Sequence, residues 1–289
     1  EDIGHVCCST SAHASILRRG VGRRRTFLPS YFRTGARNVA NTPVSRPGGA
    51  AGSEVTGLER LPGIEATPPQ QAYTGAMNTA SVLAVCRVHQ LLSDEGRLGV
   101  TAIDKRPVDG PVKVHRLGLR GDIQADRMDH GGEDQALYAY SQADADYWAA
   151  ELGREIPPGY FGENLRVAGL EATNAVIGER WKIGLDVELE VTSPRRPCST
   201  FQRRVDEPHW VKRFTEAGLV GTYLRVVRTG SIQAGDHIHR LYVPAHGVTI
   251  GKWFSDPTVQ DMEALRDADA DGLIRLQPEY HQEFAKLLA

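Results

Sequence analysis

The sequence predicts a mainly β protein: a closed or nearly closed antiparallel barrel with a few inserted helices and a small helical unit at its C-terminal end. Two observations carry this. Between residues 81 and 243, short β-branched runs alternate with glycine-bearing turns and few helices intervene, which argues against a βαβ sheet. After Pro244 the apolar residues change to helical spacing.

Taken in order, S-V-L-A-V-C-R-V-H (Ser81 to His89) is a β-branched run, and Val100 to Val114 reads as a hairpin turning at Asp109-Gly110. Further strands are expected at Gln135–Ser141, Asn164–Val167, Arg180–Ile183, Val187–Thr192, Thr222–Arg228 and His237–Val243. Ser141 can cap a helix whose third position is Asp144 and whose stop is Gly153, and Pro208 to Ala217 with Gly218 gives another. Helical pieces follow near Val248–Phe254, Val259–Ala268 and Pro278–Leu288. The chain shows no internal repeat.

Length and composition exclude several function classes. The 289 residues, 40% hydrophobic and 24% charged, suffice for one large domain with an appendage or for two small ones. No apolar run reaches the roughly 18 residues of a membrane helix. A formal charge of -2 gives no general attraction to nucleic acid or anionic lipid, so a small-molecule ligand is expected. Four cysteines, at 7, 8, 86 and 198, are too few and too scattered for a disulfide framework and suit a reducing compartment.

Charge divides the chain unevenly. Residues 1–76 carry nine Arg, no Lys and five acidic groups, whereas the rest carries 25 basic and 31 acidic side chains. With breakers such as R-P-G-G-A-A-G-S (Arg46 to Ser53), the first segment is expected to be disordered, because it cannot bury enough apolar surface to offset chain entropy. V-G-R-R-R-T-F and the sparse acids suit a mitochondrial presequence; alternatively Met77 is the true start and the preceding residues are read-through. The second is favoured, since residue 1 is Glu and regular structure is expected only after Met77, and it makes a cytoplasmic location the expectation.

The stretch T-S-P-R-R-P-C-S-T-F (Thr192 to Phe201) carries the most chemistry. Two prolines stiffen the backbone around Cys198, and Arg195 and Arg196 favour a thiolate, which is how a reactive or metal-binding sulfur is presented. In H-G-G-E-D-Q-A (His130 to Ala136), Gly131 and Gly132 allow close approach of a ligand and leave N–H groups for an anion, while Asp134 can hold the turn or a donor-rich ring. The plain alternative is a polar turn. In F-G-E-N-L, Glu163 and Asn164 either read hydrogen-bonding edges of a ligand or cap the start of a strand. Arg203-Arg204 reads as a solvated helix face, with phosphate contact as the sharper option. His237 and His239 share a strand face at a spacing that metal sites use, but lack a visible third ligand.

The ordered series G-L-R-G-D (Gly118 to Asp122), H-G-G-E-D-Q-A, F-G-E-N-L, V-I-G-E-R-W-K-I-G (Val176 to Gly184) and S-P-R-R-P-C (Ser193 to Cys198) resembles the MOSC domain, named for the C-terminal domain of molybdenum cofactor sulfurase. Within that superfamily it is similar to YiiM-like proteins, in which a helical 3-alpha segment follows the barrel. The resemblance covers roughly residues 80–289. It implies a MOSC-type β-barrel over 77–243, a 3-alpha segment over 244–289, and a molybdenum cofactor (Mo-molybdopterin) whose metal is ligated by Cys198. It further implies cofactor contacts from Arg120, Gly131, Gly132, Glu163, Asn164, Arg195 and Arg196, and reduction of N-hydroxylated compounds such as 6-hydroxylaminopurine to amines.

Local chemistry agrees with that implication. A soft thiolate suits molybdenum, and arginines suit the pterin's phosphate. His130 is the expected acid, with Asp134 as its orienter. No strand-linked G-x-G-x-x-G and no cysteine cluster is present, so a separate electron-donating reductase is the expected partner. Two alternatives remain: a sulfur or cofactor carrier that uses Cys198 without turnover, and a non-haem metal site built on His237, His239 and a carboxylate.

Overall fold

The computed structural model describes residues 79–126 and 131–287. The chain divides into two units, Glu1–Pro69 and Gln70–Ala289, and the described residues all lie in the second. The expectations for residues 1–76, for a start at Met77 and for His130 fall outside the described residues.

The first half contains strands β1 (Ser81–Val88), β2 (Leu92–Ser93), β3 (Val100–Thr101), β4 (Lys105–Pro107), β5 (Val112–His115), β6 (Gly118–Leu119) and β7 (Leu137–Ser141), then helix α1 (Gln142–Leu152) and β8 (Leu165–Ala168). The second half contains β9 (Arg180–Ile183), β10 (Val187–Pro194), α2 (Ser199–Val205), α3 (Trp210–Ala217), β11 (Thr222–Arg228), β12 (Gly230–Ile232), β13 (Ile238–Tyr242), α4 (Ile250–Ser255), α5 (Val259–Ala270) and α6 (Pro278–Leu287). Ser141 and Gly153 bracket α1 as expected, Gly153 closing it in the left-handed conformation; the Ser141 hydroxyl accepts from Ala172 N rather than from its own helix.

The protein is mainly β with helices, as the sequence predicts, but its sheets are not paired into a closed barrel. The main sheet has eight strands in the order β13-β9-β10-β11-β7-β8-β1-β4, beside a three-stranded sheet β12-β5-β6 and the pair β2-β3. Between β1 and the start of β13 there is only a short bridge: Val82 N donates to Asp236 O at 2.9 Å, and Gly235 N and Ile238 N donate to Val82 O and Ala80 O at 2.8 Å. Among the described residues every ladder is antiparallel except β7–β8, which α1 connects as a parallel crossover.

The hairpin expected over Val100–Val114 does not form. The chain does turn at Gly110 (φ 72°), but β4 pairs with β1 while β5 pairs with β12 and β6. Pro107 and Pro111 flank that turn and have no N–H for a ladder between the two arms, so each arm finds another partner.

Core packing fixes the segment after Cys198. Phe201, Trp210 and Phe214, on α2 and α3, meet Trp148 of α1 and Phe161 of F-G-E-N-L at ring distances of 4.5–5.8 Å, apart from a 6.1 Å Phe161–Phe214 pair. All five side chains are buried, and each contributes on the order of 1.5–3 kcal/mol. The C-terminal helices pack on the sheet: Tyr280 of α6 stacks on Trp253 of α4 and donates its hydroxyl to Thr192 O of β10 at 2.9 Å.

Candidate functional site

Cys198 sits just past the end of β10, in extended backbone (φ -133°, ψ 175°), as the N-cap of α2. Extended chain alternates its side chains. Arg195 therefore turns inward and is buried, whereas Arg196 turns outward and pairs with Glu283 of α6. The Arg195 guanidinium donates to Phe161 O and lies 3.8 Å from the centre of the Phe201 ring. Burial alone would weaken its hold on its proton, but the field of Tyr138, Tyr223 and Cys198 strengthens it, so the cation persists and in turn favours a Cys198 thiolate.

Cys198 and Arg195 share the wall of an open cleft that Tyr138, Asn164 and Tyr223 also line. One lip is the β2–β3 segment, bearing Leu98 and Val100; the other is the loop after β6, bearing Ile123. An ion pair, Arg97 Nη2 to Asp126 Oδ1 at 3.3 Å, joins the two lips. The Asp94 carboxylate anchors the first lip to α2 by accepting from Arg203 and from Thr200 Oγ1, at 2.9 Å for the latter. Arg203 is thus part of the cleft's frame rather than a solvated face, and Arg204 pairs with Asp104 at 2.8 Å.

Asn164 lines the same cleft, but its amide is fully engaged: Oδ1 accepts from Tyr138 N at 3.1 Å, and Nδ2 donates to Cys86 O at 3.2 Å and Asp122 Oδ2 at 2.8 Å. Asp122 also accepts from Lys105 Nζ at 2.5 Å and Val88 N at 2.8 Å. Lys105 and Asp122, both on the cleft wall, were not legible as site residues, because their lining role depends on how three distant segments converge. Glu163 lies off the cleft with no exposure; it accepts from Gly159 N, Phe161 N and the Arg166 guanidinium, and so braces the loop from inside.

The remaining expected residues do not gather around the sulfur. Gly131, Gly132, Asp134 and Arg196 line a second cleft, between the sheet and α6, which shares only Gln135 and Tyr223 with the first. The Gly132 N–H is taken by Gln124 Oε1 at 3.0 Å, and Asp134 is held by Arg225 at 2.6 Å and Arg275 at 3.0 Å. Arg120 is exposed and lines neither cleft; its carbonyl accepts from Arg87. His237 and His239 have ring centres 6.3 Å apart, and no cluster of three or more His, Cys, Asp or Glu suited to a metal occurs among the described residues. No described helix is long and apolar enough to cross a membrane.

Comparison with known proteins decides the family. Residues 126–239 match the MOSC domain, and the chain is 32% identical over 161 residues to the uncharacterized protein YflK of Bacillus subtilis, covering 56% of this chain and 72% of that one. The chain belongs to the MOSC family. A relative named "Reductase" from Gibberella moniliformis is 37% identical over 156 residues, 52% of this chain but only 28% of its own length. The MOSC architecture also superposes on the crystal structure of YiiM from Geobacillus stearothermophilus with a TM-score of 0.57 at 25% identity, over 73% of this chain and the whole of that one.

The residues present fit a molybdenum–pterin group. The first cleft offers one soft donor, the Cys198 sulfur, with a buried cation behind it, and the described residues supply no metal cage of their own. That donor set suits a metal that arrives with most of its ligands attached.

Proposed function

We propose that this MOSC protein is a molybdenum-cofactor-dependent reductase that converts N-hydroxylated compounds such as 6-hydroxylaminopurine to amines. The observation that carries the reading is the Cys198 sulfur on the cleft wall beside the buried Arg195 cation. The name of the Gibberella relative is in keeping with it.

In this reading Cys198 holds the metal, and the Arg195 charge favours the deprotonated sulfur. When bound, the cofactor would supply a two-electron redox centre for the reduction. The N–O bond of R–NH–OH breaks, two electrons and two protons are consumed, and R–NH2 and water leave. Of the described cations lining the cleft, Arg97, Lys105 and Arg195, only the lysine ammonium can give up a proton, since arginine stays charged. In this reading Lys105, held in place by Asp122, is assigned as a proton donor. The apolar lips restrict water, and a separate reductase delivers the electrons.

The test is molybdenum and turnover in one preparation. Protein purified from cells competent in cofactor synthesis is expected to carry molybdenum and to reduce 6-hydroxylaminopurine with a chemical electron donor, and Cys198→Ser to lose both. Full activity in Cys198→Ser would refute the assignment, and labile sulfur without metal would favour the carrier.

A further inference from the structure

The two clefts meet at Gln135, which lines both. Its backbone is braced just before β7: Gln124 Nε2 donates to the Gln135 carbonyl at 3.2 Å while also gripping the Gly132 turn. Yet the Gln135 Oε1 atom is buried and accepts no hydrogen bond. The other buried side-chain polar atoms in this condition among the described residues are the donors Arg87 Nε, Trp148 Nε1 and Trp210 Nε1, and none of those residues lines either cleft.

An orphaned acceptor penalises the unliganded protein, and a methionine of similar reach would remove the penalty. We propose that Gln135 is a ligand-recognition residue whose Oε1 accepts an N–H from the edge of a nitrogen heterocycle bound in the cleft. This rests on the function proposed above. Both the cofactor's pterin and a purine substrate offer a ring N–H or an amino group, and the experiment separates these two sources.

Wild type, Gln135→Met and Gln135→Glu, the last keeping an acceptor at the same reach, are to be made in cofactor-competent cells. Pterin is measured by fluorescence after release and oxidation, melting temperature on cofactor-free protein, and KM and kcat with 6-hydroxylaminopurine and with phenylhydroxylamine, which lacks a heterocyclic edge. Recognition of the pterin predicts about tenfold lower pterin occupancy in Gln135→Met, restored in Gln135→Glu. Recognition of the substrate predicts unchanged occupancy and a KM for 6-hydroxylaminopurine raised about tenfold, with phenylhydroxylamine unaffected. In either case the cofactor-free Met variant melts no lower than wild type.

A lower melting temperature in that variant would show that Gln135 already has a partner, and would overturn the proposal. So would a loaded Met variant with occupancy and KM within about twofold of wild type, which leaves the reductase reading intact. Wild type without pterin or turnover overturns the reductase reading itself, and with it the ligand named here.

Discussion

Asp94 and Arg203 lie 109 residues apart in sequence and meet in a two-pronged ion pair, Nε to Oδ1 at 2.8 Å and Nη2 to Oδ2 at 2.7 Å. The pair ties the lip formed by β2 and β3 to α2, the helix that Cys198 precedes as N-cap. Hydrogen bonds from Arg203 hold the Asp94 carboxyl below its ordinary range, against the opposing effect of burial. For a carboxyl so depressed, the stabilisation is present above the unfolded value and is lost as pH falls through the folded one. The stability gap between wild type and Asp94→Asn, followed by denaturant unfolding, is therefore expected to be widest at neutral pH and to close on acidification. At neutral pH, trypsin should cut after Arg97 severalfold faster in Asp94→Asn.

The two described cysteines should differ sharply in reactivity. Cys86 is completely buried in β1 and its thiol is pushed up to about 12, mainly by burial, whereas Cys198 is partly exposed on the cleft beside a permanent cation. Iodoacetamide at neutral pH followed by peptide mass mapping is expected to label Cys198 and spare Cys86. Arg195→Met should slow the Cys198 reaction, because the charge that favours the thiolate is gone.

Glu163 and Arg166 form an ion pair with no solvent exposure, and the guanidinium also donates to Ile156 O at 3.1 Å and Pro157 O at 3.2 Å. Neutralising one member leaves the other buried and uncompensated. Glu163→Gln is expected to cost about 3–5 kcal/mol in chemical denaturation. The double variant Glu163→Gln/Arg166→Met should recover part of that loss, and strict additivity of the two single effects would count against the pair acting as a unit.

Gly159 has φ 85°, and a Cβ there would stand 2.4 Å from Lys105 O and 2.7 Å from Lys105 C. Gly159→Ala must therefore strain the loop or displace the backbone that carries Lys105. It is expected to lower stability by at least about 1–3 kcal/mol, and to reduce kcat with 6-hydroxylaminopurine through the shifted Lys105. Unchanged kcat in a correctly folded Lys105→Met variant would separate Lys105 from the chemistry.

Much of the secondary structure was legible because it is written locally. β9 and β11 occupy the residues expected of them, and β1, β7, β8, β10 and β13 differ by a few residues at their ends, since β-branched runs between glycines leave little choice. Partnership was less legible. A glycine turn marked where the chain reverses near Gly110, but the prolines beside it sent its arms to different sheets. The ordered motifs revealed the family and Cys198 together, yet placed Arg196, Gly131, Gly132 and Asp134 beside the sulfur, whereas the fold puts them in a neighbouring cleft.

By itself, then, the sequence determined the β-rich character, the helical C-terminal segment, the family and the thiol that merits attention, because each rests on spacing or residue type within a short window. Only the tertiary structure decided which cation stands behind that thiol, which lysine and aspartate share its cleft, and that Gln135, on the wall of both clefts, keeps a buried acceptor unmet. Those are relations between side chains tens of residues apart, fixed by how strands and loops pack, and no local pattern encodes them.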